Sequence, residues 1–133
     1  MIRKFGIVLS LLLPVTTALA NDNADDARKT FVKKRYSIQG TAKIQTVDGE
    51  SRLVFSEDFK TKNGPDLKVY ISKKPIAALS ARDVDDSALR ISVLKSHQGA
   101  QSYVLPAELD LAEYQSIVIQ CEAYSVLWGG FDL

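Results

Sequence analysis

YSIQGTAKIQTVDGESRLVF, residues 36–55, decides the fold class. Ile38, Gly40, Ala42 and Ile44 fall on one side of an extended chain, and Gln39, Thr41 and Lys43 fall on the other. That period of two belongs to a strand with one face buried. Asp48-Gly49 then offers the positive backbone angles of a tight hairpin turn, and Leu53 and Phe55 return on a second strand.

Downstream of this hairpin the pattern repeats in short pieces. After the loop Asn63-Gly64-Pro65-Asp66, the residues Leu67, Val69 and Ile71 mark a third strand. Residues 72–88 are polar and read as irregular. Ile91 and Val93 open another strand, Gln98-Gly99 turns the chain, and Tyr103 with Leu105 begins the next before Pro106 stops it. Residues 107–114 read as a helical turn or an extended corner. In the apolar stretch 116–133, Ile117, Ile119, Cys121 and Ala123 form the inward face, because Val118, Gln120 and Glu122 carry the charge on the other. Val126, Trp128 and Gly129-Gly130 close the domain. Seven or eight short strands with few helices imply an all-β protein, a compact sandwich or partly closed barrel over residues 36–133.

Upstream, residues 21–35 read NDNADDARKTFVKKR, with acids first and bases last, which suits a short helix or an arm. The run Lys33-Lys34-Arg35 reads as a solvated edge, since no aromatic or basic stripe extends it along the chain. Met1 to Ala20 has Arg3 and Lys4, an apolar run from Phe5 to Leu13 and a small-residue ending Ala18-Leu19-Ala20. This is a secretory signal peptide cleaved after Ala20. Its apolar run is about half of the roughly 20 residues a membrane span needs. No cysteine follows Ala20 for lipid attachment, so the exported chain is expected to be free of the membrane.

Composition narrows the chemistry. The chain of 133 residues has 17 Lys+Arg, 16 Asp+Glu and one each of His, Cys and Met. Losing Arg3 and Lys4 with the signal peptide leaves 15 bases against 16 acids, far from the basic balance of a general nucleic-acid binder. Blue copper needs two His and a Cys, and structural zinc needs four donors. Cys121 is followed by Glu122-Ala123-Tyr124 rather than the Cys-x-x-Cys-His pattern of covalent haem. Asp83, Asp85 and Asp86 lack the Gly and Glu of a calcium loop at positions 88 and 94, and read as a solvated loop. No metal site is expected.

With one cysteine there is no internal disulfide. Cys121 is then a buried thiol, a reactive thiol, a prosthetic-group ligand or half of an intermolecular bridge. Patterning alone makes it a small core hydrophobe. His97, in Lys95-Ser96-His97-Gln98-Gly99, is the chain's only candidate base for it, and Lys68, Arg90 and Lys95 are candidate cations to activate it.

The assembled pieces resemble the DM-thirteen domain, an electron-transfer domain found alone in secreted bacterial proteins and beside DOMON domains in Skeletor-like animal proteins. The matching pieces are Gly40-Thr41-Ala42-Lys43-Ile44, Leu53-Val54-Phe55, Asp58-Phe59, Asn63-Gly64-Pro65-Asp66-Leu67 and Val69-Tyr70-Ile71-Ser72. They continue with Leu94-Lys95, Gly99-Ala100-Gln101-Ser102-Tyr103, Leu105-Pro106, Leu109-Asp110-Leu111, Tyr114 and Ser116-Ile117-Val118-Ile119-Gln120-Cys121. The resemblance implies that Cys121 is redox-active, as a bare thiol or as a ligand to a group such as haem. It also implies that Gly40, Asn63, Gly64, Pro65, Asp66, Gly99, Tyr103, Pro106 and Tyr114 shape the domain. An aromatic often stands where Gln120 is, and a glycine where Ser92 is. A monomer of the bacterial periplasm with an exported redox partner protein follows, not a stand-alone enzyme. The competing expectation is a non-catalytic module that binds through loops 60–67 and 73–88 around an inert Cys121.

Overall fold

The computed structural model describes residues 27–133. The expected signal peptide and residues 21–26 lie outside the described residues. In chain order the strands are β1 (Lys29–Thr30), β2 (Val32–Lys33), β3 (Ile38–Gln39), β4 (Thr41–Val47), β5 (Glu50–Phe55), β6 (Lys60–Thr61), β7 (Leu67–Ser72), β8 (Leu89–Val93), β9 (Gln101–Val104), β10 (Ser116–Cys121) and β11 (Val126–Asp132). One helix, α1 (Ala81–Ser87), precedes β8. Seven strands have four residues or more, and four have only two. Among the described residues, no helix is long and apolar enough to cross a membrane.

The strands form a sandwich and not a closed barrel. One sheet has the order β1-β4-β5-β9 and the other β2-β11-β10-β7-β8, while β3 and β6 make a small ribbon. The hairpin of residues 36–55 forms in the expected register, with Asp48 at φ 51° and Gly49 at φ 77° in its turn. Its first strand is broken, however. Gly40 adopts φ 99°, and a Cβ there would stand 2.7 Å from the Phe59 Cα, so the chain kinks and Ile38 pairs with β6 rather than with β5.

Two cores flank the larger sheet. Ala42, Leu53, Phe55 and Tyr103 from the first sheet meet Leu67, Val69, Ile71, Ile117, Ile119, Cys121 and Phe131 from the second. On the opposite face of that sheet, Tyr70, Val118 and Leu127 pack with Ile76, Leu79 and Val84 from the segment around α1. Strand β10 is therefore buried on both sides. This corrects the expectation that Val118 and Gln120 face outward, since both are fully buried, and that Ala123 faces inward, since it sits exposed in the turn after the strand.

Residues 72–88 are likewise more ordered than their polarity suggests. A three-ten turn spans Ile76–Ala78, and α1 starts with a capping box. The Ser80 side chain accepts from the Asp83 amide, and the Asp83 carboxylate accepts from the Ser80 amide. Reciprocal caps of this kind satisfy donors that the first helical turn leaves without partners. Asp83, Asp85 and Asp86 thus lie in a helix and not in a solvated loop.

The short helix or arm expected over residues 21–35 gives way to strands where it is described. Strand β1 joins the smaller sheet and β2 the larger, and Phe31 between them is buried. Its ring lies 5.0 Å from Phe55, 5.1 Å from Phe59 and 5.2 Å from Phe131. Burying one such ring contributes roughly 1.5–3 kcal/mol, so the domain begins before residue 36.

Candidate functional site

Cys121 is the last residue of β10, with Leu67 of β7 and Val126 of β11 as its cross-strand neighbours. Side chains directly opposite in an antiparallel pair share a face, so the thiol points into the core between the sheets. It is 1% exposed and forms no disulfide. It lies at the rim of the sandwich, one residue from the turn 122–125 that leads into β11.

The loop Asn63-Gly64-Pro65-Asp66 leads into Leu67, the β7 partner of Cys121, and so lies at this rim. Asn63 Oδ1 accepts from the Gly64 amide at 2.9 Å and tightens the loop. Gly64 lies under Trp128: a Cβ there would stand 2.9 Å from Trp128 Cη2 and 3.1 Å from Leu67 Cδ2. Trp128 reaches this place because the pairing of β10 with β11 slips between Ile119 and Gln120, where a bulge puts Trp128 on the same side as Gly129. The indole N–H donates to the Lys62 carbonyl at 2.9 Å, and the ring packs against Tyr36, tilted by 47° with centroids 4.2 Å apart.

Asp66 ties the loop to the turn beyond Cys121. Its carbonyl accepts from the Glu122 amide at 3.0 Å, and its Oδ2 accepts from the Ala123 amide at 2.8 Å. Lys68 Nζ donates to Asp66 Oδ1 at 2.6 Å and lies 3.3 Å from Glu122 Oε2. Glu122 also accepts from the Tyr70 hydroxyl at 3.0 Å and from Arg90 Nη1 at 3.4 Å. The Lys68 hydrogen bond holds Asp66 below the usual carboxylate range, and Tyr70 and Lys68 do the same for Glu122. The hydrogen bond to Asp66 raises Lys68 against the effect of burial. Burial, then Glu122, pushes the Tyr70 phenol up to about 12.

The three candidate cations are therefore engaged elsewhere. Lys68 pairs across from Gln120, on the face away from the thiol, and Arg90 is bound to Glu122. Lys95 Nζ donates to the Ser102 carbonyl and sits 5.1 Å above the Tyr103 ring. His97 lines a hollow of about 210 Å³ with Asn63, Gly64, Pro65, Leu67 and residues 93–96. Leu67 lines that hollow and also pairs with Cys121, so it stands between the two.

The remaining family-type positions have structural duties. The Gly99 amide donates to the Phe59 carbonyl at 2.8 Å. The Tyr103 hydroxyl accepts from the Lys95 amide and donates to Gln101 Oε1, and burial holds its phenol above the usual range. Pro106 begins the corner whose carbonyl receives the Leu109 amide, and Tyr114 packs at the edge of the main core. Three features escape the sequence reading. They are Phe31 in the core, the tilted Tyr36–Trp128 contact, and Gln120, whose Nε2 donates to the Ala81 carbonyl at 3.0 Å and to Asp85 Oδ1 at 2.6 Å. The Ser80-Ala81-Arg82-Asp83 cap was the one available signal for the helix that Gln120 holds.

A haem bound through Cys121 does not fit this arrangement. The ligand sulfur would have to face room for a flat macrocycle, whereas the thiol is enclosed by Leu67, Val126 and the main core. The hollow beside Leu67 does not reach it.

A family model described as electron transfer DM13 matches residues 30–133. The chain belongs to the DM13 family. Membership supports an electron-transfer role for the domain, and such a role requires a redox partner. The matched region begins inside the β1–β2 segment, in agreement with the buried Phe31. No curated protein and no solved structure matches the chain.

Proposed function

We propose that this DM13 domain is an exported, periplasmic electron-transfer module whose redox group is the bare Cys121 thiol. The observation that carries this reading is the position of the chain's only cysteine at the rim of the sandwich, beside a turn that Asp66 ties to the loop 63–66. A thiol in a core has no reagent access and is inert. One at a rim becomes reachable when a single loop and turn lift together, which costs less than global unfolding. Once reachable, the Cys121 thiolate attacks one sulfur of a disulfide on an exported partner. The partner's S–S bond breaks, a mixed disulfide forms, and the departing partner sulfur leaves with the electron pair and takes up a proton.

The 1% exposure of Cys121 favours a second reading, an inert core thiol in a module that docks through its loops. Labelling of the folded protein by an aromatic disulfide reagent along a urea series separates the two. Local opening predicts a labelling rate that is nearly independent of urea below the unfolding transition and that rises in Asp66→Ala. A rate that tracks global unfolding in both proteins would leave only the inert thiol.

A further inference from the structure

The folded chain supplies the aromatic and basic extension that Lys33-Lys34-Arg35 lacks in sequence. The amides of Lys34, Arg35 and Tyr36 all point to the Trp128 carbonyl, at 3.1, 3.1 and 3.5 Å. Lys62 is held to the same residue from the other side, through its own carbonyl and the Trp128 indole N–H. Two basic segments distant in sequence thereby meet around one aromatic pair in contact. Lys62 Nζ lies 4.6 Å and Arg35 Cζ 5.9 Å from the centre of the Tyr36 ring. Lys33, Lys34, Arg35 and Lys62 are all exposed, and none forms an ion pair with a carboxylate among the described residues. Most other basic clusters of the molecule do contain acids: Lys68 and Arg90 share Glu122, Lys74 meets Asp83 and Lys73 meets Glu113. The patch adjoins the loop 63–66, since Trp128 packs on Gly64 and Lys62 directly precedes Asn63.

We infer that this collar of cations around Tyr36 and Trp128 is the docking surface for an acidic face of a partner protein. The inference rests on the electron-transfer reading for the nature of the partner. Charged rims steer encounter and set orientation more than they hold a complex together, which suits the brief contacts of redox proteins. A half-buried aromatic under exposed cations gives such a contact a fixed, partly apolar centre.

Trp128 is the chain's only tryptophan, so its emission reports on the patch. The probe is a fluorescein-labelled decaglutamate peptide, titrated into the full chain at low and moderate salt. Binding is expected to perturb Trp128 emission and to weaken with salt. It is also expected to fall by about tenfold or more in Lys34→Glu/Arg35→Glu/Lys62→Glu, as three lost rim pairs would require. The equally charged control Lys43→Glu/Lys73→Glu/Arg82→Glu should retain it. Equal loss in both variants, an unresponsive Trp128, or a preference for phosphatidylglycerol vesicles over the peptide would overturn the inference. If charge reversal unfolds the chain, Arg35→Gln/Lys62→Gln tests the same point with a smaller expected loss. Cys121→Ser should bind like the wild type, so docking succeeds or fails independently of the thiol chemistry.

Discussion

Gly64 has no side chain because Trp128 occupies the place where one would go. Gly64→Ala should cost about 1–3 kcal/mol by overpacking, with a change in Trp128 emission as the ring is pushed from Tyr36. Thermal unfolding with tryptophan detection checks both, and an unchanged spectrum would mean that the loop yields instead. Asn63-Gly64-Pro65-Asp66 is readable from sequence as a loop, because its turn chemistry is local. Its place against Trp128 and the turn after Cys121 is not, because that depends on a bulge and a cross-strand partner far along the chain. Gln120 shows the limit most plainly. A polar side chain in an alternating strand reads as outward, yet here a second layer supplies the Ala81 carbonyl and Asp85 for its amide. Its Oε1 is the one buried side-chain oxygen or nitrogen without a partner among the described residues.

At the level of elements, α1 depends on charge. The Lys74 ammonium, then the Ser80 amide and hydroxyl, hold Asp83 far below its ordinary value of 3.8. A carboxylate whose folded pKa is depressed stabilises the fold above its unfolded pKa and loses that contribution as pH falls through the folded one. Protection of the Val84 and Ala88 amides from hydrogen exchange should therefore decline as pH drops below about 3.8. In Asp83→Asn it should already be lower at neutral pH and flat across that window. A wild-type profile that is equally flat would remove Asp83 as the cause. This helix escapes a reading by polarity because its apolar stripe is short, with only Val84 fully buried. Strands β4, β5, β7 and β10 are legible because each runs for six or seven residues, long enough for an apolar pattern to show. Strands β1 and β2 span two residues each and leave no period to detect.

For the whole molecule, stability comes from two apolar cores on either face of one sheet and owes nothing to a disulfide. The thermal midpoint should be the same with and without reductant, and a non-reducing gel of the folded protein should show a single uncrosslinked chain. A midpoint that falls on reduction would mean that Cys121 is bridged between molecules, against its enclosure. The all-β sandwich and the electron-transfer family are both legible in the order and spacing of the sequence pieces. The surroundings of the thiol are not, since Leu67 and the facing sheet are brought there by long-range pairing.

One such pairing bears on how the domain folds. Strand β11 lies between β2 and β10, so residues 32–33 find their partners only at residues 129–130. Loop closure over nearly the whole domain is slow and comes late. Strand β2 must wait as unpaired chain until β11 arrives, whereas β1 and Phe31 already find β4 and Phe55 nearby, so vectorial emergence of the polypeptide can form the first hairpin but not the finished sandwich.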